Sequence, residues 1–256
     1  MKQGDFSNLA KEYINRTGYS IEVLRMIHSY LGKAVDDMEI ADVGAGTGKL
    51  TEQLLEIGFN GYAIEPNREM REEGIRLCEN TKKIIWSEGS GEETGLKDKS
   101  IDWVFMASSF HWTDHEKSIK EFHRILKPGG FFTALWNPRD LISSELHMRI
   151  EDRIYNLVPN IKRVSSGGKK YTEGLESKLL YNDYFDNLIF IEASHSVEMS
   201  KSRYMGAWKS VNDIQAQSGQ KKWDEVLNAI EEEIAPLSKI VVPYKTRAWT
   251  VQSRMT

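Results

Sequence analysis

The chain holds one cysteine in 256 residues, Cys78, so no disulfide can close within it and its composition suits a reducing compartment. The same scarcity removes two chemistries. The iron–sulfur cluster of a radical enzyme needs three cysteines, and structural zinc usually takes several. Long basic runs are also missing: the formal charge is −4 and the basic residues come at most in pairs such as Lys169-Lys170 and Lys221-Lys222. A steady grip on nucleic acid is therefore disfavoured. The opening residues MKQGDFSNLAKEYINRTGYS are polar and mixed in charge, which fits neither a signal peptide nor a membrane span. A cytoplasmic protein with no membrane partner is expected, and nothing in the sequence marks its oligomeric state. No internal repeat, linker or low-complexity tract divides it. With 40% hydrophobic residues, the length suits one large α/β domain.

Within that domain the stretch Glu39 to Pro66 reads strand, glycine turn, helix, strand. Ile40, Ala41 and Val43 form a short apolar run that stops at Gly44-Ala45-Gly46-Thr47-Gly48, where glycines allow a sharp turn and a close approach to a ligand. Leu50, Gln53, Leu54 and Ile57 recur at helical spacing, and Tyr62-Ala63-Ile64 forms a second strand ending in Glu65. An acid at that separation from the glycines is where such units hold ribose hydroxyls. A dinucleotide site needs Gly-x-Gly-x-x-Gly, but Lys49 stands where its third glycine would be. A turn serving only strand-to-helix packing would leave Asp42 and Glu65 unexplained.

The spacing Gly-x-Gly-x-Gly preceded by Asp42 resembles the first motif of the class I S-adenosylmethionine (AdoMet) dependent methyltransferases. Further along, Ser100–Met106 reads as a strand buried on both faces. A Phe110-His111-Trp112 turn follows, then a helix carrying Ile119, Phe122, His123 and Leu126, the turn Lys127-Pro128-Gly129-Gly130, and a fifth strand from Phe131 to Trp136. Each part resembles the same family. The opening Phe-x-x-x-Ala-x-x-Tyr-x-x-x-Arg-x-x-Tyr, with Phe6, Tyr13, Arg16 and Tyr19, resembles the small-molecule members of the trans-aconitate methyltransferase type, in which this segment closes over the cofactor; Thr17 and Ser20 replace two prolines common there. Gly89-Ser90-Gly91-Glu92 stands in register with the segment that lines adenine, although Ser90 replaces an acid and Gly91 an alanine found in many members.

The resemblance implies a Rossmann-like, seven-stranded, mostly parallel sheet with helices on both faces. It divides the chain into an N-terminal cover (1–32), a cofactor-binding core (33–137), and a lid with the last strands (138–256). It implies that Tyr13, Arg16, Asp42, Gly44, Ala45, Gly46, Gly48, Glu65, Pro66, Ser90, Gly91, Glu92 and Ser108 form the AdoMet site, the product being S-adenosylhomocysteine. The acceptor would meet Tyr19, Trp112, Trp136, Arg139 and Trp208, and Arg16, Arg139 and Arg203 suit an acidic acceptor. Past Asn137 the family pattern thins: Ser143 to Leu157 reads as a helix, 164–170 as a glycine-rich loop, Leu188 to His195 as a strand, Trp223 to Ile234 as an amphipathic helix and Arg247 to Arg254 as a last strand.

Methyl transfer from a sulfonium is an in-line displacement, so proximity, orientation and exclusion of water carry most of it. Aromatic faces suit the cationic donor. His111 reads either as a general base near neutrality or as a polar wall that positions Trp112 or binds the acceptor. His111 and His115 straddle a turn, so no metal is expected there, and Cys78, Trp103 and His123 read as packing residues. The residues after the fourth strand are not those of amino-adenine methyltransferases, and Cys78 is misplaced for a cytosine C5 enzyme. A small-molecule acceptor remains, against two alternatives: a tRNA- or protein-directed methyltransferase, and an AdoMet-binding protein without catalysis.

Overall fold

The computed structural model describes residues 10–79, 81–163, 172–180 and 183–255. Phe6 and the loop at 164–170 lie outside the described residues. The apolar run after Met38 becomes β1 (Glu39–Val43), and the helical spacing after the glycines becomes α3 (Lys49–Ile57). Before them come α1 (Ala10–Tyr13) and α2 (Ile21–Leu31), the latter capped by the Ser20 hydroxyl and ended at left-handed Gly32. Then follow β2 (Asn60–Ile64), α4 (Arg68–Leu77), β3 (Ile84–Ser87), β4 (Ile101–Ala107), α5 (His115–Ile125) and β5 (Leu126–Trp136). The rest comprises α6 (Glu145–Leu157), α7 (Leu175–Leu179), β6 (Phe185–Met199), α8 (Lys201–Lys209), α9 (Asn212–Ile234) and β7 (Ile240–Ser253).

The strands form one seven-stranded sheet in the order β3-β2-β1-β4-β5-β7-β6. All the pairs from β3 through β5 are parallel, and β7 runs antiparallel to β5. The chain steps from β1 to β2 on one side and returns with β4 on the other, so the order reverses between β1 and β4. Ligands of open α/β sheets bind beyond the carboxyl ends of the strands at such a reversal.

Two compact units emerge. The larger runs from Gly18 to Asn137 and adds the described residues of 172–193 and those from Thr246 on. Its core lies on the two faces of the sheet, with Val104, Phe110, Phe122 and Phe132 in one cluster and Leu24, Leu54, Phe59 and Trp103 in the other. Trp103 is enclosed, as its place inside a strand suggests, and its indole N–H donates to Thr133 Oγ1 at 2.8 Å. Asp102 is a buried charge in this unit. It receives Lys33 Nζ at 3.1 Å, Lys127 Nζ at 2.5 Å and the Glu39 N–H at 3.1 Å, and these outweigh the effect of burial to hold its carboxyl below the usual range.

The smaller unit gathers the described residues up to Thr17, those from Pro138 through Arg163, and Ser194–Lys245. Its core is built on Ile150, Ile154, Tyr204, Trp208, Trp223, Val226 and Ile230. Each such enclosed side chain contributes about 1.5–3 kcal/mol relative to exposure. The amphipathic segment expected from Trp223 begins earlier, at Asn212, and breaks at Gly219, whose φ of 74° no helix accommodates. Both late strands are longer than their apolar residues suggest: β6 is Phe185–Met199, with side chains alternately exposed, and β7 starts at Ile240. Among the described residues no helix is long and apolar enough to cross a membrane.

Candidate active site

β1 passes into the glycine turn, whose first residues are tied to the neighbouring strand: the Gly44 and Ala45 N–H groups both donate to the Ile64 carbonyl, at 2.8 and 3.1 Å. Gly44 has φ 69°, and a Cβ there would lie 2.7 Å from Ser109 Oγ, so both the conformation and the close approach of the β4 end require glycine. Gly46 has φ 58°, and its N–H donates to Glu65 Oε2 at 2.8 Å. Glu65 is buried, and its other oxygen accepts the Asn67 N–H at 2.9 Å. Burial raises its pKa against these two bonds. Each Glu65 oxygen keeps a lone pair for a further donor, which suits a sugar diol. A carboxylate on the Gly46 N–H repels the pyrophosphate that a dinucleotide would bring there.

Asp42 does not face this opening. It is wholly enclosed, accepts the Thr51 hydroxyl at 2.6 Å, and is pushed up to about 7 by burial, with the charge of Glu65 adding to the effect. It joins β1 to the first turn of α3, so its part in a cofactor site is to shape the turn. Asp42 Oδ1 and the buried Thr47 hydroxyl have no hydrogen-bond partner among the described residues. With its left-handed glycines, the turn fits a cofactor that offers hydroxyls and no phosphate. Gly44, Ala45, Gly46 and Gly48 would bound that cofactor, with Glu65 taking its ribose; Pro66 is exposed beside Glu65.

The adenine-lining expectation meets a folded loop. Ser90 Oγ accepts the Glu92 and Glu93 N–H groups, both at 3.2 Å, and Glu92 Oε1 accepts the Asp114 N–H at 2.7 Å, so these side chains shape the loop and fasten it to the start of α5. A Cβ at Gly91 would lie 2.8 Å from Thr113 Cγ2, which accounts for glycine where relatives of the family type carry alanine.

At the end of β4, Ser108 sits at φ 55°, a left-handed conformation that a serine adopts only under constraint, and its Oγ accepts the Tyr19 hydroxyl at 3.0 Å. Ser109 Oγ donates to the Val43 carbonyl at 3.3 Å. Beyond it, Trp112 is half exposed and packs on His111, with ring centroids 4.7 Å apart. Trp136 is enclosed, in contrast to its expected place at the acceptor. Its ring packs on Trp249, and its N–H donates to His111 Nδ1 at 3.2 Å. An imidazole whose Nδ1 accepts a hydrogen bond carries its proton on Nε2. Burial, with His115 adding, lowers His111 to about 4. The ring is thus neutral at pH 7 with its basic nitrogen engaged, which favours the positioning role of His111 over the general base.

Tyr13, Arg16, Arg139 and Trp208 belong to the smaller unit. Arg16 bonds the Tyr13 hydroxyl at 2.7 Å and reaches Ser210 Oγ and O at 2.8 and 2.9 Å. Arg139 lies over the enclosed Trp208 ring, 4.2 Å from its centroid, and Arg203 Nε donates to the Asn15 carbonyl at 3.2 Å. Burial raises the Tyr244 hydroxyl while the charges of Arg139, Arg16 and Arg203 act the other way. Sequence reasoning missed Gln53, Asn137 and Thr246, which bond the backbone of residues 18–20. Their partners lie 34 to 226 residues away, so no local pattern announces them.

A mostly parallel sheet that reverses beside a glycine turn, with an acid closing the next strand, is the arrangement expected of the class I methyltransferase fold. Residues 41–134 match the methyltransferase domain family. It is 37% identical over 118 residues to an uncharacterised methyltransferase of Mycobacterium bovis, covering 44% of this chain and 47% of that protein. An uncharacterised methyltransferase of Schizosaccharomyces pombe is 26% identical over 208 residues, 75% of this chain and 74% of the relative. The chain's match thus spans about half the length of the first of these curated relatives. Among solved structures, a candidate type II methyltransferase of Anaeromyxobacter dehalogenans superimposes with a TM-score of 0.59 at 19% identity, covering 94% of this chain and 98% of its own. Phosphoethanolamine N-methyltransferase 2 of Haemonchus contortus, solved with S-adenosylhomocysteine, covers 90% of this chain and 52% of its own at 14% identity and a TM-score of 0.50. These two likenesses support the fold.

Proposed function

We propose that the protein transfers a methyl group from AdoMet to an oxygen or nitrogen of a small acidic molecule in the cytoplasm. The observation that carries the cofactor is the pairing of the left-handed glycine turn with buried Glu65, whose carboxylate already holds the Gly46 N–H. When bound, AdoMet supplies a methyl group activated by a sulfonium. The chain's own contribution is to hold the partners in line and keep water out, which accounts for the larger part of such a barrier.

Two observations support an acid as acceptor. Arg16, Arg139 and Arg203 form no ion pair with a carboxylate among the described residues, although the other three arginines of the smaller unit, Arg149, Arg153 and Arg163, do. Guanidinium groups left over in this way suit carboxylate binding. Neutral His111 with Nδ1 engaged suits an attacking atom that arrives without a proton to lose, as a carboxylate oxygen does. The formal charge of −4 favours a small acceptor over a polynucleotide.

Calorimetric titration with AdoMet, S-adenosylhomocysteine and NAD tests the cofactor. Micromolar binding of the first two and none of the third is expected. A labelled-methyl screen of small acids, amines and phenols then tests the acceptor. The acid reading fails if amines or phenols are methylated and acids are not, or if R139A and R203A leave the acceptor KM unchanged.

A further inference from the structure

Residues Gly18, Tyr19 and Ser20 lie in neither helix nor strand, yet side chains of the larger unit grip their backbone. Gln53 grips Tyr19 twice: its Oε1 accepts the Tyr19 N–H at 2.7 Å and its Nε2 donates to the Tyr19 carbonyl at 2.6 Å. Asn137 Nδ2 donates to the Gly18 carbonyl at 2.7 Å. The Thr246 hydroxyl accepts the Ser20 N–H and donates to Asn137 Oδ1, both at 2.8 Å, which closes the ring. Gly18 is glycine because a Cβ there would lie 2.4 Å from Gln53 Oε1, inside the space the amide uses. Side-chain amides that imitate a strand partner in this way fix a segment without a sheet.

The grip connects to the glycine turn from two directions. Gln53 lies one turn into α3, whose first residue follows Gly48. Tyr19, once seated, places its hydroxyl on Ser108 at 3.0 Å, and the adjoining Ser109 is the residue against which Gly44 closes. We propose that Gln53 is a positioning residue of the cofactor site, holding the 18–20 segment so that its seating and cofactor binding are one coupled equilibrium. Coupling of this kind is reciprocal, so loosening the segment weakens the cofactor. The inference rests on the AdoMet reading above.

S-adenosylhomocysteine is the probe, titrated calorimetrically into the full chain and into Q53A, G18A and the double variant, with urea midpoints recorded alongside. Q53A is expected to weaken binding about tenfold, the equivalent of about 1.4 kcal/mol. G18A, which displaces the amide without removing it, weakens binding in the same direction. In the Q53A background G18A has nothing left to displace, so its added effect falls within about twofold. The proposal is overturned if Q53A binds within about twofold of the parent, if G18A costs as much with Gln53 absent as with it present, or if midpoints fall while affinities stay. Parent protein that binds no S-adenosylhomocysteine overturns the cofactor reading and this inference with it, and is told apart from the other outcomes by the parent titration alone.

Discussion

Replacing Asp42 by asparagine should make the protein's stability less sensitive to pH, in a direction set by burial. Asp42 is enclosed, one oxygen bonded to Thr51 and the other without a hydrogen-bond partner among the described residues, and its pKa rises from 3.8 to about 7. A folded-state pKa above the unfolded one means that the folded chain holds the proton more tightly. This contribution is fully present below about pH 4 and is lost as pH rises through 7. Each unit corresponds to about 1.4 kcal/mol, so between pH 5 and 8 the parent should lose about 2–3 kcal/mol that D42N, which cannot ionise and keeps an acceptor for Thr51, does not lose. Urea unfolding of both proteins at pH 5, 6, 7 and 8 reads the difference, in which the titrations common to both cancel. A gap between them that stays constant to within about 0.5 kcal/mol across this range would refute the reasoning.

Three further outcomes follow from the same geometry. His111 should appear by nitrogen NMR as the neutral Nε2–H form from pH 8 down to about 5, because Trp136 occupies Nδ1 and burial depresses its pKa to about 4; an imidazolium signal near pH 6 would contradict this. G44A should weaken S-adenosylhomocysteine and lower the thermal midpoint, since alanine meets both a φ of 69° and a Cβ that would lie only 2.7 Å from Ser109 Oγ; unchanged affinity would show that the turn lies away from the cofactor. D102A should cost about 2–4 kcal/mol at pH 7, because it leaves the Glu39 N–H and two lysines without their shared acceptor. In the parent this contribution is present above about pH 4 and fades on acidification below it, since the folded pKa is depressed, and urea unfolding at pH 7 and pH 3.5 measures both.

The order strand, glycine turn, helix, strand, acid was legible in residues 39–66 because each step is local chemistry. An apolar run makes a buried strand, glycines supply positive φ, and a 3.6-residue spacing makes a helix face. The same holds for the segment from β4 to β5, including the core place of Trp103, except that β5 begins at Leu126 rather than Phe131 and takes in the Lys127–Gly130 stretch. What tertiary structure alone decided is which polar groups meet. Asp42 and Glu65 look alike in the sequence, yet one is sealed against Thr51 and the other faces the glycine turn. Trp112 and Trp136 are both aromatic residues near strand ends, and burial against Trp249 separates them. Gln53 passes in the sequence for one more residue of an amphipathic helix, and only the return of the chain past α3 gives its amide a backbone to hold. Periodicity and turn chemistry act over a few residues, whereas hydrogen-bond partners and burial depend on which distant segments the sheet order brings together.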